Sequence, residues 1–273
     1  MSNLVQRILT GLAGAFVVVW TIWFGGWVFG AMILLIGLLA QHEAYDMLAR
    51  AGTRPLVWLG LAMGAVAIVR PLVPLAEPLL VVGLMAILVA VLYVRPKTPL
   101  LDAAATLFGV VYPAAVCGSL VALRVVPRPW LDGAENGAFW ITAAVLFSVW
   151  AADSFAYFAG RAFGRHPLFP RVSPKKTWEG AAGGVVGAAV FAAGFWRLTP
   201  LVDVLTWADV VAITVAAGIA SPFGDLAESH FKRSVEVKDS ASLLPGHGGL
   251  LDRIDAAVVA VPLLVVWFDL VHG

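Results

Sequence analysis

Residues 137–163 read GAFWITAAVLFSVWAADSFAYFAGRAF, and no charged residue occurs from Gly137 until Asp153. The apolar residues form a run rather than an alternating or one-faced pattern, so no side of the segment is reserved for water. A helix that crosses a bilayer needs about 20 mostly apolar residues, because lipid offers no partners to unpaired backbone N–H and C=O groups. This stretch meets that requirement and decides the fold class.

Working outward, segments of the same kind lie at Arg7–Gly25, Trp27–Leu48, Pro55–Val73, Glu77–Val94, Leu100–Val125, Trp178–Leu198, Trp207–Phe231 and Leu251–Val271. Only Gly25 and Gly26 separate the first two, which makes that turn the weakest boundary. Proline, glycine and charge punctuate most of the others, as at Arg54-Pro55, Val73-Pro74, Arg95-Pro96, Arg128-Pro129 and Pro245-Gly246. Of the 273 residues 61% are hydrophobic and 13% charged, against about 45–50% and 25% in soluble chains. The expected fold is all-α: a polytopic integral membrane helical bundle of about nine transmembrane helices. We read residues 1–273 as a single membrane domain, with N-terminal helices in 1–100 and the helices that carry chemistry in 101–273.

Arg7 before the apolar run Ile8–Trp20 resembles a signal peptide. No small-x-small cleavage site lies between that run and the next, so the segment reads as a retained first helix. No internal repeat or low-complexity tail stands out. The lone Cys117 excludes a disulfide framework and a cysteine-based metal site, which leaves any metal to carboxylates. The net charge of +1 says nothing about partners, and no nucleic-acid partner is expected.

Lys and Arg concentrate in cytoplasmic loops of membrane proteins. With the N-terminus in the cytoplasm, that side collects Arg7, Arg50, Arg54, Arg95, Lys97, Arg161, Arg165, Arg171, Lys175, Lys176, Lys232, Arg233, Lys238 and Arg253. The opposite side holds Arg70, Arg124, Arg128 and Arg197, a division of 14 to 4 among the 18 Lys and Arg residues. The C-terminus is then expected outside the cytoplasm.

Two cytoplasmic loops hold the unusual chemistry. After the sixth segment comes Ser173-Pro174-Lys175-Lys176-Thr177-Trp178-Glu179-Gly180. Thr177 is placed to cap the next helix, whose free N–H groups together with two ammonium groups would attract phosphate. The same lysines would also serve as a plain topology signal. After the eighth segment the chain reads Ser221-Pro222-Phe223-Gly224-Asp225-Leu226-Ala227-Glu228-Ser229-His230-Phe231-Lys232-Arg233. Lys238-Asp239 follows, and then Pro245-Gly246-His247-Gly248-Gly249-Leu250-Leu251-Asp252-Arg253-Ile254-Asp255. Asp225 and Glu228 share a helical face at a spacing of three, as do Asp252 and Asp255. Carboxylates held close together repel unless cations lie between them, and hard oxygen donors suit Mg²⁺. The alternative for these acids is structural pairing, Asp225 with Arg253 or Asp252 with Lys232. Asp153 reads as a further buried acid, either paired across helices or in contact with substrate. The glycines around His247 permit positive φ and close approach of backbone to phosphate, or else form a simple tight turn.

The run from Ser229 to Asp255 resembles the signature of the phosphatidate cytidylyltransferase family. It matches at Ser229, Lys232, Arg233, Lys238, Asp239, Pro245, Gly246, His247, Gly248, Gly249, Asp252, Arg253 and Asp255. Ser173–Gly180 is similar to the family's second shared block, whereas the first 100 residues match in hydropathy alone. The resemblance implies Mg²⁺-dependent transfer of CMP from CTP to phosphatidic acid, with a second cation an option. It would make Asp225 and Asp252 metal ligands, supported by Glu228 and Asp255. Lys175, Lys176, Lys232, Arg233 and Lys238 would bind the CTP phosphates or the lipid headgroup. Ser173, Asp239, Gly246, Gly248, Gly249 and Arg253 join the substrate-binding set, and His247 has a binding role at most, since an ionised phosphate needs no general base. The resemblance further implies a homodimer in an inner or plasma membrane, with the site at the cytoplasmic face. Competing readings are a CTP-dependent lipid-alcohol kinase, which would release CDP, and an ion-coupled transporter, which would carry paired repeats.

Overall fold

The computed structural model describes residues 3–93, 98–237, 240–241 and 248–273, with side chains from residue 11 onward. The helices are α1 (Asn3–Phe24), α2 (Gly26–Arg50), α3 (Val57–Val69), α4 (Ala76–Tyr93), α5 (Pro99–Gly109) and α6 (Val116–Val125). They continue with α7 (Gly137–Phe163), α8 (Trp178–Leu198), α9 (Trp207–Val215), α10 (Ser221–Ser234), α11 (Leu251–Ile254) and α12 (Ala257–Val271). Every apolar segment expected from the sequence is helical over most of its length. Among the described residues six helical stretches are long and apolar enough to cross a membrane: Gly26–Arg50, Ala76–Tyr93, Pro99–Val125, Gly137–Phe163, Trp178–Leu198 and Trp207–Ser234. Shorter apolar helices lie at Gly11–Phe24, Val57–Leu72 and Ala257–Val271. The chain is an all-α polytopic membrane protein.

Three local features depart from simple spans. The helices joining α5 to α6 and α9 to α10 widen into π-turns at Val110–Ala115 and Ala216–Ala220. Pro113 lies inside the first, and Pro222 follows the second by two residues. Proline lacks an N–H and crowds the carbonyl four residues back, and a π-turn absorbs that mismatch without ending the helix. The expected ninth segment is broken after Ile254, where the Asp255 carboxylate accepts the N–H of Ala256 at 2.7 Å. Such a local side-chain contact competes with helical bonding. Finally, β1 (Pro167–Phe169) and β2 (Ser173–Thr177) pair antiparallel, Pro167 opposite Thr177 and Phe169 opposite Ser173.

The chain packs as two compact bodies, Met1–Val125 with Ser234–Ile254, and Val126–Arg233 with Asp255–Gly273. In the first, Gln41 of α2 donates to the Gly60 carbonyl at 2.7 Å and to the Tyr45 hydroxyl at 2.9 Å. Tyr45 in turn donates to the Thr106 carbonyl at 2.8 Å, so three helices are tied through one buried polar chain. Gly25, at φ +61°, makes the turn between α1 and α2. The Arg124 guanidinium closes it by donating to the Ile22 carbonyl at 2.6 Å, a cation at a helix C-terminus.

In the second body α7 and α8 approach closely along small residues. A Cβ on Gly184 would come within 3.1 Å of the Ala152 carbonyl oxygen, and one on Gly180 within 2.9 Å of that of Ala156. Membrane helices have little hydrophobic drive to associate, so close packing of this kind holds them together. Buried Asp209 links α9 to α12, accepting the Thr206 N–H at 2.7 Å and the Trp267 indole N–H at 2.9 Å.

Candidate active site

The residues singled out from the sequence fall in both bodies. In the body containing α7, α8 and α10, the hairpin β1–β2 delivers the basic loop. Thr177 caps α8, its hydroxyl oxygen accepting the Gly180 N–H at 3.1 Å. Glu179 in the first turn of α8 folds back to accept the Arg165 and His166 N–H groups at 3.1 and 3.3 Å, and its other oxygen lies 2.5 Å from His166 Nδ1. These contacts fix where the strand meets the helix. Ser173 on β2 is half-buried and Lys175 is exposed. Lys176 reaches α10, where its ammonium lies 2.6 Å from Asp225 Oδ2.

Asp225 and Glu228 do lie on one helix, as the spacing predicts, but in different surroundings. Asp225 is half-buried and also accepts from the Ser229 hydroxyl at 3.2 Å. Glu228 is fully buried and pairs with Lys232 at 3.0 Å, one turn on. Lys176 for Asp225 and Glu228 for Lys232 are thus ion-pair partners that the sequence did not suggest. Arg233 is exposed.

Asp255 lies where α12 comes against α10. Gly224 makes that approach possible, since a Cβ there would run into the Asp255 carbonyl oxygen. The Asp255 carboxyl feels the like charges of Asp225 and Asp153 and the opposite charge of Lys232. Asp153 is exposed on α7, not buried as its place in an apolar run suggests. Hydrophobic pattern reports membrane depth, not which side of a helix its neighbours cover.

In the other body, Asp252 stands in α11 at the end of the signature. Its Oδ2 accepts the Gly249 N–H at 2.8 Å, the Ser240 N–H at 3.2 Å and the Ser240 hydroxyl at 3.1 Å. Gly248 adopts φ +77°, the left-handed region that glycine enters without penalty. Gly249 is buried, and a Cβ on it would collide with the Ser240 hydroxyl and the Glu43 carboxylate. Arg253 is exposed. Lys238, Asp239, Gly246 and His247 lie outside the described residues.

Ser240 lies inside the Ser229–Asp255 run at a position not matched to the signature, and Glu43 lies outside the motifs singled out from the sequence. Glu43 was nevertheless visible there as an acid inside the apolar run Trp27–Leu48, and acids at membrane depth are costly and usually functional.

The chemistry of these donors fits a hard cation. They are carboxylate oxygens without cysteine, and the charges of Asp225 and Asp153 both reach the Asp255 carboxyl. Among the described residues no three His, Cys, Asp or Glu side chains are already gathered as a metal would hold them. Lys176 is the cation beside Asp225 in this arrangement.

The sequence model of the cytidylyltransferase family matches residues 5–271. A phosphatidate cytidylyltransferase of Brucella abortus is 37% identical over 271 residues, covering 98% of this chain and 94% of the relative. A chloroplastic phosphatidate cytidylyltransferase of Arabidopsis thaliana is 32% identical over 305 aligned positions, 100% of this chain and 73% of the relative. A phosphatidate cytidylyltransferase of Haemophilus influenzae is 48% identical over 126 residues, 45% of this chain and 44% of the relative. The similarity thus runs through the N-terminal helices as well as the signature loops, and the chain belongs to the cytidylyltransferase family.

Proposed function

We propose that the chain transfers CMP from CTP to phosphatidic acid, forming CDP-diacylglycerol and releasing pyrophosphate. The observation that carries this reading is the full-length similarity to relatives named phosphatidate cytidylyltransferase, at 37% identity over 98% of the chain. Neither a lipid-alcohol kinase nor a transporter draws support from those relatives.

An ionised oxygen of the lipid phosphate attacks the α-phosphorus of CTP. A new P–O bond forms, the bond to the β-phosphate oxygen breaks, and pyrophosphate leaves with that electron pair. The attacking oxygen carries no proton, so positioning and neutralisation of charge do most of the work. Lys175 and Lys176 are assigned to the phosphates of CTP or the lipid headgroup, together with Arg233, Lys238 and Lys232. Lys176 has the reach for this, since its ammonium already meets a carboxylate on a neighbouring helix.

Mg²⁺, when bound, would neutralise charge on the nucleotide phosphates as pyrophosphate departs. Asp225 and Asp252 are the carboxylates proposed for it, with Glu228 and Asp255 in support. For Asp225 the support is its half-buried position with its charge reaching the Asp255 carboxyl, and for Asp252 its fixed orientation at the end of the signature.

The bilayer anchors one substrate while the other is soluble, so the reaction belongs at an interface. The 14-to-4 division of Lys and Arg supports a cytoplasmic site and a cytoplasmic N-terminus, and an inner, plasma or equivalent membrane location is proposed with them. A homodimer is proposed on the family resemblance alone. The test is direct: purified protein in lipid micelles with CTP, Mg²⁺ and phosphatidic acid should form CDP-diacylglycerol, and none when phosphatidic acid is replaced by diacylglycerol. Product formed from diacylglycerol instead would remove the reading.

A further inference from the structure

Glu43 is only 5% exposed, and it comes from α2, some two hundred residues before the signature. Burying a carboxylate is costly unless hydrogen bonds replace its water. Among the described residues the replacements come from the segment that carries Asp252. Glu43 Oε1 accepts the Leu250 N–H at 2.9 Å, and Oε2 accepts the Leu251 N–H at 2.9 Å. The Ser240 hydroxyl lies 2.7 Å from Glu43 Oε2 and 3.1 Å from Asp252 Oδ2, so a single O–H serves two carboxylates. Gly249 packs so closely on Glu43 that no side chain fits between them.

Apolar contacts set the same register. Ala40, Ala44 and Met47, flanking Glu43 on α2, enclose Leu251, and Leu250 and Ile254 pack around that cluster. Packing alone would hold Leu251 at roughly the right depth. It would not fix the rotation of the backbone, because apolar contact has no direction. Two N–H bonds to one carboxylate do fix it, and they aim Asp252 one residue further on.

We propose that Glu43 is a positioning residue for Asp252, holding the Gly249–Asp252 backbone so that the Asp252 carboxylate keeps one orientation for the reaction. The inference rests on the assignment of Asp252 to the catalytic machinery. Glu43 acts through Asp252 and does not touch substrate.

Glu43→Gln tests it. The amide keeps the size but replaces one acceptor oxygen with a donor, which would face a backbone N–H. Glu43→Gln should lower kcat roughly 10- to 100-fold, the usual loss when a group orienting a metal ligand is removed. KM for CTP should stay within about twofold, since the interaction lost belongs to the reacting state. Hydrogen exchange of the purified protein without substrates should speed up at the Leu250 and Leu251 amides. Glu43→Asp, which keeps the charge, should recover part of both.

The double variant Glu43→Gln with Asp252→Asn should be no slower than Asp252→Asn alone, because groups acting through one another are not additive. A further multiplied loss, or unchanged exchange, would overturn the proposal. If Asp252→Asn is inactive while Glu43→Gln turns over normally, only the role of Glu43 falls. If Asp252→Asn turns over normally, the assignment of Asp252 and the role of Glu43 fall together. Should Glu43→Gln not accumulate in membranes, Glu43→Asp, whose shorter side chain draws the carboxylate back from both N–H groups, is measured in its place. Faster exchange at Leu250 and Leu251, with no added loss over Asp252→Asn, would then support the proposal. Unchanged exchange or a multiplied loss would overturn it.

Discussion

The Lys176 ammonium lies 2.6 Å from Asp225 Oδ2, joining the basic hairpin to the acidic helix α10. Both side chains are about one-third exposed, at 27% and 31%, so the pair is a contact that an arriving phosphate or cation can rearrange. Half-exposed ion pairs contribute about 0–1 kcal/mol to stability. Lys175→Ala with Lys176→Ala should therefore insert and melt nearly as the parent does, while KM for CTP or phosphatidic acid rises about tenfold or more. Steady-state kinetics on the purified double variant checks this. Unchanged kinetics would return both lysines to a topology role.

Asp225→Asn and Asp252→Asn keep side-chain size and one acceptor oxygen but discard the charge that draws Mg²⁺. Each should lose most turnover and remain folded. Asp225→Asn leaves behind only a half-exposed lysine, which water can solvate. In Asp252→Asn the amide oxygen can still accept the Gly249 N–H. Melting and activity measured across a Mg²⁺ titration separate the outcomes. Early melting with full turnover in the surviving molecules would remove the metal assignment.

Glu228 and Lys232 should behave differently. Their side chains are 0% and 9% exposed and pair at 3.0 Å. Breaking a buried pair strands a charge and costs about 3–5 kcal/mol. Glu228→Gln and Lys232→Met should each melt well before the parent protein, and combining them should recover part of the loss. A Lys232→Met protein that melts normally would show that the pair adds no stability, and would leave Lys232 its phosphate-binding role alone.

These contrasts mark what the sequence could and could not convey. Apolar runs located the helices because lipid imposes one length on all of them. Thr177 was legible as a cap because capping is local: the hydroxyl reaches an N–H three residues on. The spacing of Asp225 and Glu228 placed both on one helix. It could not say that one would sit half-exposed beside Lys176 and the other be enclosed with Lys232, since burial is decided by neighbouring helices. The β1–β2 hairpin left no alternating pattern, because a two-stranded ribbon with half its residues exposed and none buried has no apolar face to encode. Glu43 stood out only as an acid in an apolar run, because its partners, two backbone N–H groups and the Ser240 hydroxyl, lie far along the chain and leave no pattern around it.

The charge distribution makes a topological prediction. A reporter fused after Gly273 should be extracytoplasmic, and one inserted near Pro170 cytoplasmic. Paired phosphatase and fluorescent fusions at both positions provide the measurement. Both reporters on one side of the membrane would remove the nine-span arrangement.

In the proposed reaction the α-phosphoryl group of CTP, with its cytidine, moves to phosphatidic acid. Purified protein should be given phosphatidic acid, Mg²⁺ and CTP labelled at either the α- or the γ-phosphorus, and the lipid product counted. Label from the α-position should enter the lipid in step with pyrophosphate release, and label from the γ-position should stay in pyrophosphate. Lipid labelled from the γ-position, with CDP as the other product, would contradict the proposed transfer.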